Sequence, residues 1–194
     1  MRAKGFTLIE LLIVVAIIAI LAAIAIPNFL EAQVRSKVSR AKADMRSIAT
    51  ALESYFTDAN HYPNHSENGW PYYLTIQLTT PTRYLSSASL HDPFKDTGHA
   101  AKYASDYPRR FRYLNSQAWL EKWPDNLGTP YDVGETNDVS DTIGGWKLVS
   151  AGPDKKENTT ILNLSLIYDP TNGTYSAGDI IRTQKESNVV KSRD

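Results

Sequence analysis

Sixteen consecutive residues, 11 to 26, carry no polar side chain: LLIVVAIIAILAAIAI. Eleven are Leu, Ile or Val and five are Ala. Counting back to Phe6 gives 21 residues whose only polar members are Thr7 and Glu10. About 20 apolar residues in a helix cross a bilayer. Eleven branched aliphatic residues contribute roughly −3 to −7 kcal/mol to insertion, and one carboxylate costs at most roughly +3. Insertion wins even with Glu10 in the run, so residues 6–26 read as a transmembrane segment.

Beyond Pro27 the pattern changes without a break. Leu30, Val34, Val38, Ala41, Met45, Ile48, Leu52 and Tyr55 follow at steps of three and four, which is one apolar stripe on a helix. Between Phe6 and Asn60 there is no Gly and a single Pro. The spacing predicts one helix from about residue 6 to about residue 58, roughly 80 Å long at ~1.5 Å per residue. Pro27 removes a backbone donor and is expected to bend or loosen the rod at the membrane edge. The apolar half must find lipid or other helices, and Ala16, Ala19, Ala22, Ala23 and Ala25 permit close helix–helix approach.

Residues 61–194 are different material, with nine Gly, nine Pro and all four Trp. They are enough chain for a core of their own. Short helical segments are expected near Pro71–Leu78 and Asn115–Lys122. Four strands are expected: Arg110–Tyr113, which alternates polar and aromatic; Trp146–Ser150; Ile161–Tyr168; and Asp179–Thr183. Gly/Pro/Asp clusters separate the later ones, and residues 185–194 read as a polar, frayed end. The fold class is α+β: a long amino-terminal helix whose upper half packs on a small antiparallel sheet.

Charge and composition act by exclusion. The chain has 21 Lys+Arg against 21 Asp+Glu and no Cys. Neutrality removes any composition-level argument for nucleic-acid binding. Without Cys there is no disulfide, thiolate metal site or cysteine nucleophile. No HExxH or phosphate-binding loop sequence occurs. Pro63 stands between His61 and His65 and denies a helical ligand pair, and His91 and His99 lie in expected loops. The chain therefore does not read as an enzyme.

The amino end carries the sharpest signal. A short basic stretch, Met1-Arg2-Ala3-Lys4-Gly5, precedes the apolar run, as in an export signal. A general secretory signal cut after Ala25 would leave Glu10 unexplained and sever a continuous helix. The run Gly5-Phe6-Thr7-Leu8-Ile9-Glu10 before a long apolar segment resembles the class III leader of type IV pilins and type II secretion pseudopilins. The resemblance implies cleavage between Gly5 and Phe6 by prepilin peptidase on the cytoplasmic side, and N-methylation of Phe6. It divides the chain into a leader (1–5), the long helix (6–60) and a pseudopilin head (61–194). An ionised carboxylate in an apolar run is costly unless paired. Cleavage creates an amine on Phe6, and the resemblance supports pairing of Glu10 with the Phe6 amine of a neighbouring subunit, which sets axial register. The alternative is a Glu that snorkels to the interface from a helix end.

Topology rests on the resemblance. Arg35, Lys37, Arg40, Lys42 and Arg46 follow the span, against Arg2, Lys4 and the initial amine before it. A positive-inside count alone would place the head in the cytoplasm. The leader resemblance requires the reverse: a single-pass protein of the bacterial inner membrane with its head in the periplasm. The expected product is a homo-oligomeric helical filament, assembled with minor pseudopilins on an inner-membrane platform and acting as a piston for protein export. The alternative is a type IV pilin of a surface fibre for adhesion, motility or DNA uptake. An exported enzyme or ligand-binding domain on a helical anchor is the rival of another class.

The head extends the resemblance. Leu78-Thr79-Thr80-Pro81, Tyr84-Leu85-Ser86-Ser87 and Asp92-Pro93-Phe94 look like the segment after the long helix in major pseudopilins. Leu148-Val149-Ser150-Ala151-Gly152-Pro153-Asp154 is similar to their late strand and turn. Absence of Cys favours the pseudopilin side, since major pilins commonly close this region with a disulfide. No cofactor is required, but major pseudopilins bind Ca²⁺ in the late loop, and the motif implies Asp154 and Asp179 as ligands. Ca²⁺ takes six to eight hard oxygens from a flexible loop. Against a cation stand Lys155 and Lys156; plain turn aspartates are the alternative.

Overall fold

The computed structural model describes residues 6–64, 74, 76–87, 90–95, 109–122, 143–156, 167–169, 171, 176 and 178–185. One helix, α1, runs from Leu8 to Ala59, 52 residues, about 78 Å at ~1.5 Å per residue. Thr7 caps its start in extended backbone and Asn60 ends it in the left-handed region at φ 58°, with the Asn60 N–H donating to the Phe56 carbonyl. Pro27 lies inside this helix, which continues through it. An isolated proline costs one hydrogen bond, and the turns on either side retain theirs.

Burial along α1 divides as the periodicity predicts. The large apolar residues from Phe6 to Leu30 are all exposed, between 45% for Val14 and 80% for Leu8. From Val38 the stripe turns inward: Val38, Ala41, Met45, Ile48, Ala49, Ala51 and Leu52 are buried. The candidate membrane span is thus the bare half of the helix.

Among the described residues the sheet has three antiparallel strands, β1 (Arg112–Asn115), β2 (Trp146–Ser150) and β3 (Ile180–Thr183), in that spatial order. Arg112 pairs with Val149, and Val149 with Ile181. Tyr113, Trp146, Leu148 and Ile180 share one face and join the α1 stripe in one core with Phe111, Leu74, Leu78, Leu85 and Phe94. The other face carries Val149 and Ile181 against Ile167.

Three local expectations shift. The first strand starts two residues later than its alternation suggested. Arg112 is buried at 5% exposure, so the polar positions of that strand do not mark a solvent face. Helix α2 occupies Ser116–Lys122, since Asn115 leaves the strand and its Oδ1 accepts from the Ala118 N–H, an N-cap. The segment before residue 78 holds a 3₁₀ turn at Ile76–Leu78. In the expected third strand, residues 161–166 lie outside the described residues, while Ile167 forms a parallel bridge with Asp179.

Candidate functional site

Glu10 sits one turn into α1. Its Oε2 accepts from the Thr7 N–H at 2.9 Å and the Thr7 hydroxyl at 2.8 Å, while Thr7 Oγ1 accepts from the Glu10 N–H at 3.3 Å. This is a capping box. It satisfies the first orphan donors of the helix and the carboxylate together. Within one chain the acid is therefore held by its own cap. The spacing Thr-x-x-Glu was present in the sequence as the signal for it. Phe6 is 75% exposed in extended backbone before the cap. Gly5 lies outside the described residues.

Above Pro27 the helix surface is ionic. Arg35 pairs with Glu31, and Arg40 lies 3.8 Å from Asp44, each four residues apart as helical neighbours require. Near the helix end one carboxylate ties rod to head. Glu53 accepts from Trp146 Nε1 at 2.8 Å and from the Tyr62 hydroxyl at 3.0 Å. The Tyr62 hydroxyl also accepts from Gln184 Nε2 at 2.7 Å. Burial, then the charge and hydrogen bond of Glu53, push Tyr62 up to about 12. The Tyr62 ring occupies the space a side chain at position 145 would need; a Cβ on Gly145 would lie 2.3 Å from it. The tyrosine carbonyl accepts from Asn115 Nδ2.

A second carboxylate anchors the lower end of β2. Asp92 is 1% exposed. It accepts from the Ser150 hydroxyl at 2.8 Å, the Ala151 N–H at 2.9 Å and the Phe94 N–H at 3.0 Å, the number of donors that makes a buried charge tolerable. Asp92 and Glu53 were not singled out as anchors in the sequence, because nothing local distinguishes an aspartate or glutamate whose donors come from residues 58 or 93 positions away.

The late turn follows Asp92's partners. Gly152 has φ +69°, and a Cβ there would lie 2.1 Å from the Gly178 carbonyl oxygen. Glycine is required for both reasons. The contact brings the 152–156 turn against Gly178 and Asp179 despite the long interval in sequence. Asp154 accepts from the Lys156 N–H at 3.2 Å on the exposed turn. Asp179 is fully buried. Its charge acts on Lys147, which is 1% exposed. Burial, then the Arg112 charge, lower that lysine to about 7, with Asp179 opposing them. Of the two implied calcium ligands, Asp154 is half-buried on its turn and Asp179 is enclosed. Among the described residues no group of three or more His, Cys, Asp or Glu converges.

Two family profiles match the chain: the prokaryotic N-terminal methylation motif over residues 1–26, and type II secretion system protein G over residues 28–107. The first covers Gly5, Phe6 and Glu10. The type II secretion system core protein G of Pseudomonas aeruginosa is 45% identical over 155 residues, 79% of this chain and 86% of that protein. Core protein G of Pectobacterium carotovorum is 35% identical over 81 residues, 42% of this chain and 49% of that protein. The major type IV pilin PilA of Myxococcus xanthus is 59% identical, but over 61 residues, 31% of this chain and 28% of the pilin's length. No solved structure matches. With a bare apolar rod below, an α+β head above and this extended likeness, the chain belongs to the type II secretion system protein G family, structural pseudopilins rather than enzymes.

Proposed function

We propose that the chain is the repeating subunit of a type II secretion pseudopilus. The carrying observation is the likeness to core protein G, which spans most of both chains, whereas the pilin match covers under a third of either. In this reading the subunit is stored in the inner membrane with its head in the periplasm. Prepilin peptidase cuts between Gly5 and Phe6, and Phe6 is N-methylated. Glu10 then exchanges its Thr7 cap for the Phe6 amine of a neighbour, gaining an ion pair in low dielectric where such a pair is strongest. The exposed apolar rods bundle, helped by their alanine stripe, and the assembly platform adds subunits at the base with minor pseudopilins. The growing filament pushes exported proteins outward. The chain supplies geometry, and the energy comes from elsewhere in the machine.

The test is the native product. Mass spectrometry of the purified protein should find an N-methylated Phe6 at its start. Deletion of the gene should leave exported proteins in the periplasm. A mature chain beginning at Met1, or normal export without it, overturns the reading. Surface fibres at native expression, with secretion intact in the deletion strain, would instead assign the pilin role.

Calcium belongs to this proposal. Asp154 and carbonyl oxygens of the 152–156 turn would hold the ion, which would stiffen the turn against Gly178. Melting of the full chain in detergent should rise with millimolar Ca²⁺ over chelator and lose that response in Asp154→Asn. An unchanged melting temperature removes the site.

A further inference from the structure

The cations above the span are placed around the rod rather than on one side of it. At about 100° per residue, Arg35 and Lys42 share one flank of α1, while Lys37 and Arg40 lie on the opposite flank. Arg35, Lys37 and Arg40 are exposed and Lys42 half-buried. Arg35 is paired with Glu31 and Arg40 approaches Asp44. Lys37 and Lys42 have no ion pair among the described residues.

The lower rim of the head reaches the same level. Tyr168 belongs to the core that takes in Val38 and, partly, Val34 at the lower end of the buried stripe. Its N–H donates to the Asp179 carbonyl, and Gly152 packs on Gly178. The turn bearing Lys155 and Lys156, both exposed, therefore sits at the membrane end of the head. At the opposite end, Trp146 is held by Glu53 and Gln184 by Tyr62. Six cations, Arg35, Lys37, Arg40, Lys42, Lys155 and Lys156, thus face four acids in this region, Glu31, Asp44, Asp154 and Asp169.

Height decides what such a collar meets. Leu30 is the last large exposed apolar residue before the charged stretch. At ~1.5 Å per residue Arg35 and Lys37 stand about 8 and 10 Å above it, within side-chain reach of the headgroups, while Arg40 and Lys42, about 15 and 18 Å above it, act on them only through the longer-range field. The headgroup layer is roughly 5–7 Å deep on each side of the bilayer, and long basic side chains reach down toward it. A protein partner approaching from one side cannot contact both flanks of the rod; lipid surrounds it. We propose that, in the membrane-stored subunit, this collar binds the headgroups of anionic phospholipids and holds the rod at a set depth. The inference rests on the spanning helix of the proposed function, not on the filament. It gives the lysines beside Asp154, which disfavour a cation there, a role of their own.

The experiment uses the full chain, one copy per lipid nanodisc, so that no neighbour supplies acids. Lysine acetylation is footprinted by mass spectrometry in phosphatidylcholine discs and in discs about one quarter phosphatidylglycerol. Lys37 and Lys156 should be protected roughly fivefold in the anionic discs, given about 1 kcal/mol for each cation near such a surface. Salt of about 0.5 M should remove most of that protection. A Lys37→Gln/Lys156→Gln chain should lose its preference for phosphatidylglycerol when native mass spectrometry counts retained lipids. Equal labelling in both discs overturns the proposal. So does protection produced by inorganic phosphate in neutral discs, or protection that requires two copies per disc. Failure of filament assembly with the footprint intact would instead count against the pseudopilus reading alone.

Discussion

Glu10 and Lys147 are ionisable groups in places that disfavour charge, and each is managed differently. Glu10 is satisfied locally by Thr7, so its cost in an isolated subunit is modest. Its value in the proposed filament is the gain from a full charge pair over a cap. Glu10→Leu should insert and be cut normally yet assemble poorly; filament yield equal to wild type, read by sedimentation and electron microscopy, would refute that role. Lys147 is enclosed between Arg112 and Asp179, and burial lowers it from 10.5 to about 7. Between those values the unfolded chain holds a proton that the folded chain lacks, so stability rises with pH across that window. Below about pH 7 both states are protonated and the contribution is flat. Lys147→Met should remove the slope between pH 7 and 10 in denaturant melts of the full chain in detergent. An unchanged slope would show that the lysine stays charged when folded.

At the scale of elements, α1 is two helices in one. Its upper half is stabilised by the sheet, and its lower half meets no partner among the described residues. Leu52 is fully buried and Leu21 is 61% exposed. Leu52→Ala should destabilise the head by about 2–5 kcal/mol through lost transfer energy and an unfilled cavity. Leu21→Ala should leave head stability unchanged in detergent. Chemical denaturation followed by tryptophan fluorescence distinguishes them, because Trp146 reports on the rod–sheet contact through Glu53. The periodicity that revealed the helix also identified its inward face: seven of the eight stripe residues, from Val34 to Tyr55, pack in or against the core. Alternation in β1 was a poorer guide. It implies one wet face, whereas both faces of this short strand are buried.

The whole molecule separates along the same line. Every buried residue described lies at or beyond Val38, so the core owes nothing to the span. A chain beginning at residue 31 should fold as a soluble monomer with the melting behaviour of the full-length head. Sedimentation velocity and circular dichroism check this; an aggregated or molten product would mean that the lower rod supports the head. The division makes physical sense of storage and assembly. The head is complete before polymerisation, and polymerisation need only exchange lipid for other rods around a helix already formed.

The sequence by itself determined the rod, its span, the inward stripe and the acid at its start, because each is a local property of spacing or hydropathy. It also placed the late turn through Gly152-Pro153-Asp154. Tertiary structure alone decided which carboxylates became anchors. Glu53 draws the Trp146 indole N–H, and Asp92 the Ser150 hydroxyl and Ala151 N–H, from far along the chain, and no pattern within a few residues encodes such meetings. It likewise decided that Asp179 is enclosed beside Lys147 while Asp154 stays on the surface, a distinction set by which face of the folded sheet each residue reaches.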